Sequence, residues 1–236
     1  MTETAKGILY GVGVGPGDPE LITLKALKAL ERCPVWAVPR TRQGNSLALS
    51  IASGAAGNED KEILYLDALM TRDAAKRAEI YRQNAVKVAR VLGQGRDVAM
   101  PNLGDVSLYS TFGYLQREVE ALGFGVEVIP GVTSFCAAAA KLKLSLTEMD
   151  KPLHIIPAGE DCLEENLELS GTRVLMKSGK ELPRVKNVLK EKGLWEKAAM
   201  AVNLGLPGEK LYPVMEDEAL EHEDQPGYFT VILVKE

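Results

Sequence analysis

Short apolar runs recur along the first part of the chain, each ending at glycine, proline or aspartate. They are "ILYGVGV" (8–14), "VWAVP" (35–39), "EILYLD" (62–67), "DVAMPNL" (97–103) and "VEVIPG" (126–131). Runs of this length bounded by turn residues predict buried β-strands. Amphipathic stretches lie between them. In "RDAAKRAEIYRQNAVKVARVLGQG", Ile80, Val88 and Leu92 sit at multiples of four, and Gly93 and Gly95 supply the stop. Upstream, Asp18 reads as an N-cap, with Pro19 at the first helical position and Glu20 behind it. Leu21, Leu24 and Leu27 then give that helix one apolar face. Alternation of strand and helix predicts a mostly parallel sheet with helices on both faces.

The pattern changes between residues 146 and 152. After it come "PLHIIPA" (152–158), "TRVLMKS" (172–178), "AAMAVNLG" (198–205), "KLYPV" (210–214) and "YFTVILV" (228–234). The last of these strands follow one another with little helix between, which predicts a mixed sheet with antiparallel pairs. Two α/β domains are expected, residues 1–143 and residues 144–236, the first sheet mostly parallel and the second mixed.

Composition narrows the function. The 236 residues are 46% hydrophobic and 26% charged, with a formal net charge of -5. That balance argues against a general nucleic-acid or membrane-surface binder. No apolar run approaches the roughly 20 residues of a membrane span. No secretory signal is legible in the first residues, so a cytoplasmic setting is expected. The cysteines Cys33, Cys136 and Cys162 and the histidines His154 and His222 are scattered. No disulfide framework and no protein-held metal is expected. The acidic run "EDEALEHED" (216–224) reads as a solvated surface turn of helix.

The chemistry-bearing residues cluster where strands end. "GVGVGPGDP" closes the first strand, but neither the dinucleotide spacing of glycines nor the lysine of a phosphate loop is present. "NLGDVSLYST" (102–111) closes the fourth strand with Gly104 and Asp105, followed by Ser107, Ser110 and Thr111. "IPGVTSF" (129–135) closes the fifth with Gly131, Thr133 and Ser134. Ligands of parallel sheets bind beyond the carboxyl ends of strands. Three glycine-rich, small-polar loops on one edge therefore predict a binding site whose backbone approaches its ligand closely.

In this order, "GVGVGPGDPELITLKALKAL", "LGDVSLYST" and "PGVTSF" resemble the tetrapyrrole methylases, and the resemblance runs to the closing "GYFTVILV". "MTRD" and "LGDVSLYSTF" are most similar to the precorrin-2 C(20)-methyltransferase branch of cobalamin biosynthesis. The resemblance implies a two-domain homodimer holding S-adenosylmethionine in a cleft between the domains. It places Pro16, Leu103, Gly104, Asp105, Leu108, Thr133 and Ser134 against the cofactor. Lys177 and Leu204 or Gly205 join them from the second domain. Most relatives carry proline where this chain has Val106, which leaves the stiffness of the second loop open.

The implied reaction moves an activated sulfonium methyl to meso carbon 20 of precorrin-2 or its cobalt form. It needs no protein nucleophile, which accords with a chain lacking a Ser–His–Asp or Cys–His constellation. Asp105 is a weak candidate for the base that removes the meso proton, and a loop-shaping role competes with it. A polycarboxylate acceptor calls for arginines. Arg40 and Arg42 follow the second strand and Arg72 follows the third, on the same rim as the glycine loops. Alternatives are a methylase of another tetrapyrrole position, a diphthamide or ribosomal-RNA methylase of the same superfamily, and a non-catalytic S-adenosylmethionine-binding protein. Acidity weighs against RNA.

Overall fold

The computed structural model describes residues 5–40, 46–68, 71, 73–159, 163–216, 227 and 229–236. Arg42, Arg72, Cys162, His222 and residues 217–224 of the acidic run lie outside them. The five expected strands of the first part are β1 (Ile8–Gly13), β2 (Val35–Arg40), β3 (Glu62–Asp67), β4 (Val98–Asn102) and β5 (Gly125–Ile129). They form one sheet in the order β3-β2-β4-β1-β5. Every pairing in it is parallel. Parallel neighbours need crossovers. α1 (Leu24–Arg32), α2 (Leu47–Ala56), α3 (Ala74–Leu92) and α4 (Phe112–Ala121) supply them.

Strand alternation sorts this core into two clusters. Tyr10, Val12, Trp36 and Val38 pack with Ala26, Ala29 and Leu30 of α1 and Ile51 of α2. Leu9, Val35 and Ala37 pack with Val88 and Leu92 of α3 and Leu115 and Val119 of α4. Both sheet faces are thus covered, which explains why the strands read as continuous apolar runs. Trp36 is fully buried and its Nε1 donates to the Leu30 carbonyl at 3.1 Å. The ring therefore gains about 1.5–3 kcal/mol of burial without stranding its N–H.

The start of α1 differs from the expectation. Asp18 caps only a 3-10 turn, Pro19–Leu21, accepting from the Glu20 amide. The helix proper begins after Thr23, whose hydroxyl accepts from the Ala26 amide at 3.2 Å. Its buried face is Ala26, Ala29 and Leu30, and Leu24 is 76% exposed. The leucine spacing that suggested the other face was counted from the wrong cap.

The second part carries α5 (Ser134–Leu142), β6 (Leu153–Pro157), α6 (Leu163–Asn166), β7 (Thr172–Met176), α7 (Leu182–Glu191), β8 (Ala198–Val202), β9 (Lys210–Tyr212) and β10 (Thr230–Val234). The sheet order is β6-β7-β10-β8-β9. β6 and β7 are parallel, and the remaining pairs are antiparallel. Leu182, Val185 and Leu189 of α7 share a core with Leu175, Met200 and Ile232. The chain divides into two compact units, Met1–Thr133 and Ser134–Glu236. α5 goes with the second unit because it packs on β8, β9 and β10; the boundary expected at residues 143 and 144 lies at its far end. No described helix is long and apolar enough to cross a membrane.

Candidate active site

At the carboxyl edge of the first sheet the three loops are joined to one another. The Val14 amide donates to the Asn102 carbonyl at 2.9 Å, and Gly15 and Gly104 exchange both backbone hydrogen bonds, at 3.2 and 2.8 Å. A Cβ on Gly13 would lie 2.5 Å from the Gly131 nitrogen, and one on Gly131 would overlap the Gly104 carbonyl. Gly13 and Gly131 are therefore glycines so that backbone can touch backbone. Gly104 is a different case. Its φ is +69°, and a Cβ there would meet nothing closer than the Val132 carbonyl at 3.9 Å. It is required for conformation, and space lies open beside it.

Asp105 fastens the second loop to the third. Its Oδ2 accepts from the Gly131 amide at 2.8 Å. Its Oδ1 accepts from the Ser107 amide at 2.8 Å and from the Ser107 hydroxyl. Burial pushes this carboxyl up, but the bonds from Ser107, Gly131 and the Val106 amide outweigh burial and hold it below its ordinary value. The Val106 N–H is a donor that proline would lack. Val106 itself is 4% exposed, in the core with Phe112 and Leu115. The loop is thus held without proline. Both oxygens of Asp105 are engaged and its basicity is lowered, which suits a clamp better than a base. The Ser110 hydroxyl donates to Asn102 Oδ1 at 3.0 Å and accepts from the Phe112 amide at 3.1 Å. Ser110, rather than Thr111, therefore satisfies the start of α4.

The other first-unit candidates occupy the same loops. Pro16 is buried, and Leu103 and Leu108 are half-buried. Leu103 packs on the core with Ile129. Thr133 carries the clearest ligand signal: its Oγ1 is buried with no hydrogen-bond partner among the described residues. A buried hydroxyl in that state costs about 1–3 kcal/mol, which a ligand acceptor or donor would relieve. Arg40 ends β2, exposed, with its guanidinium 5.0 Å from the Tyr65 ring centroid.

In the second unit, β7 and β8 both run antiparallel to β10, so they end on the same edge of their sheet. The residue after each has a left-handed backbone: Lys177 with φ 59° and Asn203 with φ 51°. Such conformations cost about 1–3 kcal/mol and gather at functional sites. Leu204 is buried, and the Gly205 amide donates to Glu209 Oε2 at 2.6 Å. Ser134 opens α5. Asparagine is among the residue types enriched in this conformation, and Asn203 was not singled out in the sequence. Lys141 of α5 is paired with Glu209 at 3.3 Å. Among the described residues no cluster of three or more His, Cys, Asp or Glu could hold a metal ion.

Comparison with known proteins gives the family. The family profile for Tetrapyrrole (Corrin/Porphyrin) Methylases matches residues 8–219. The cobalt-precorrin-2 C(20)-methyltransferase of Salmonella typhimurium is 33% identical over 232 residues, covering 97% of this chain and 96% of that protein. The precorrin-2 C(20)-methyltransferase of Sinorhizobium sp. is 32% identical over 245 residues, covering 99% and 97%. Among solved structures, the uroporphyrin-III C-methyl transferase of Thermus thermophilus, complexed with S-adenyl homocysteine, superposes with a TM-score of 0.70 at 24% identity, covering 98% of each chain. That likeness shows a shared fold. With the profile spanning most of its length, the chain belongs to the tetrapyrrole (corrin/porphyrin) methylases.

Proposed function

We propose that the protein is an S-adenosylmethionine-dependent methyltransferase acting on meso carbon 20 of a precorrin-2-type tetrapyrrole in cobalamin biosynthesis. The observation that carries the reading is the orphaned Thr133 hydroxyl beside the Gly13–Gly104–Gly131 backbone contact, at the carboxyl edge of a parallel sheet. Two relatives of nearly equal length bear C(20)-methyltransferase names. The residues fit the cofactor: a glycine with open space, and a buried hydroxyl lacking a partner among the described residues.

In the first unit the proposed cofactor contacts are Pro16, Leu103, Gly104, Leu108 and Thr133, with Asp105 holding their loops in place. In the second unit they are Ser134, Lys177, Leu204 and Gly205. When bound, S-adenosylmethionine supplies an already activated methyl. The chain's task is then to hold donor and acceptor in line, an ordering that supplies about 7–11 kcal/mol. No side chain needs to attack, and Asp105 stays an acceptor of loop hydrogen bonds. Arg40, Arg42 and Arg72 are proposed to bind carboxylates of the acceptor. A cytoplasmic homodimer completes the reading, by family resemblance.

The test is incubation with S-adenosylmethionine and either precorrin-2 or cobalt-precorrin-2, scored by mass for one added methyl and by the carbon that carries it. One methyl on carbon 20 is expected, and the preferred acceptor separates the metal-free from the cobalt substrate. Binding of the cofactor without transfer to either acceptor would leave a methylase of another tetrapyrrole position.

A further inference from the structure

β2 and β3 stay in register to their ends, with Val38 opposite Tyr65 and Arg40 opposite Asp67. Val38 and Ile63 belong to the core cluster under α1 and α2. By alternation Arg40 and Tyr65 lie on that same face, as a diagonal pair within reach of long side chains. The Arg40 guanidinium carbon lies over the Tyr65 ring, 5.0 Å from its centroid, a contact that holds the cation without a carboxylate. Among the described residues Arg40 has no carboxylate partner, although Asp67 sits directly across from it.

Asp67 is held by α3, which packs on the opposite face of the sheet with Leu64 and Leu66. Lys87 Nζ lies 2.5 Å from Asp67 Oδ2. The Asn84 side chain is 1% exposed; it accepts from the Asp67 amide at 2.9 Å and donates to the Asp67 carbonyl at 2.8 Å. The end of β3 is thus fixed through backbone and side chain alike, and its acid is engaged by a different cation.

We propose that Lys87 and Tyr65 are positioning residues that keep Arg40 open for a carboxylate of the tetrapyrrole acceptor. Tyr65 holds the guanidinium over its ring. Lys87 holds the carboxylate that is placed to neutralise it. The inference rests on the reading of Arg40 as a substrate contact. Without Lys87, Asp67 is free to pair with Arg40, and substrate must then compete with it. A partly exposed pair corresponds to a factor of up to about five in an equilibrium constant.

The test is titration of the full chain with cobalt-precorrin-2, with S-adenosylmethionine affinity measured alongside. Arg40→Gln should weaken tetrapyrrole binding about tenfold, as loss of a charge-assisted bond does. Lys87→Met should weaken it about three- to fivefold, and adding Asp67→Asn to that variant should restore it. Tyr65→Leu should weaken binding to a similar extent, whereas Tyr65→Phe, which keeps the ring, should match the parent chain. Cofactor affinity should not move in any of them. A purely structural role for Lys87 predicts no rescue by the second substitution, and that result would overturn the proposal. So would Tyr65→Phe behaving like Tyr65→Leu. Should Arg40→Gln itself bind tetrapyrrole normally, the substrate assignment of Arg40 falls, and its positioning with it.

Discussion

Single side chains at the carboxyl edge of the first sheet have roles that burial and hydrogen bonding separate. Asp105 ties two loops together as an anion, so Asp105→Asn should cost about 1 kcal/mol, the value of charged hydrogen bonds discounted for partial exposure. The pH dependence follows from the direction of its shift. A lowered folded-state pKa gives stability that is present in full above the ordinary carboxylate value of 3.8 and is lost as pH falls through the folded value. Denaturant unfolding should therefore show a gap between the parent chain and the variant at pH 7 that narrows as pH falls below 3.8. A gap that stays constant down the acid range would remove the anion from the account. Thr133 should show the reverse pattern of costs. Thr133→Val removes a buried hydroxyl that has no partner among the described residues, so the unliganded chain should be as stable or more so. Affinity for S-adenosylmethionine should fall by about 0.5–1.5 kcal/mol, the net worth of one hydrogen bond, read by calorimetric titration. Unchanged affinity would take the hydroxyl out of the cofactor site.

At the scale of elements, the strands were legible because each is a buried apolar run cut off by a turn residue, and β3 matches its expected span residue for residue. The order β3-β2-β4-β1-β5 was not legible, since it depends on where helical crossovers return and local pattern does not encode that. The loops at the carboxyl edge were found by their glycines, but for a partly different reason than expected: Gly13 and Gly131 let loops touch, while Gly104 keeps open space. Asn84 and Lys87 escaped notice because a polar residue on a helix carries no mark of the strand end it will grip. The face of α1 was misread for want of the right cap, and that correction makes its own prediction. Thr23→Ala should destabilise the chain by about 1 kcal/mol through loss of the cap. Leu24→Glu should be nearly neutral, since that side chain stands 76% exposed. Thermal unfolding of the two variants checks both, and a large loss at Leu24 with none at Thr23 would restore the original helix face.

The whole molecule consists of two compact units with separate hydrophobic cores, and the proposed cofactor contacts are spread over both. Assembly is the first property at this scale: sedimentation at micromolar concentration should show about twice the 25.6 kDa chain mass, and an active monomer would remove the dimer from the reading. Cofactor-linked stability is the second, and it reports on each unit. A ligand that binds only the folded state stabilises it by about 2.7 kcal/mol when present at 100 times its dissociation constant. Unfolding entropy is about 2.1 cal/mol/K per residue, so a chain of 236 residues should gain about 5 °C in midpoint if it melts as one cooperative body. The proposed contacts lie in both units, so should the two cores melt separately, S-adenosylmethionine ought to raise the earlier transition whichever unit it belongs to, because unfolding of either unit would release the cofactor. Calorimetry with and without the cofactor distinguishes the cases. A rise in the later transition with the earlier one unmoved would mean that the later-melting unit holds the cofactor alone, and would strike the contacts proposed in the other unit, Lys177, Leu204 and Gly205 if that is the second.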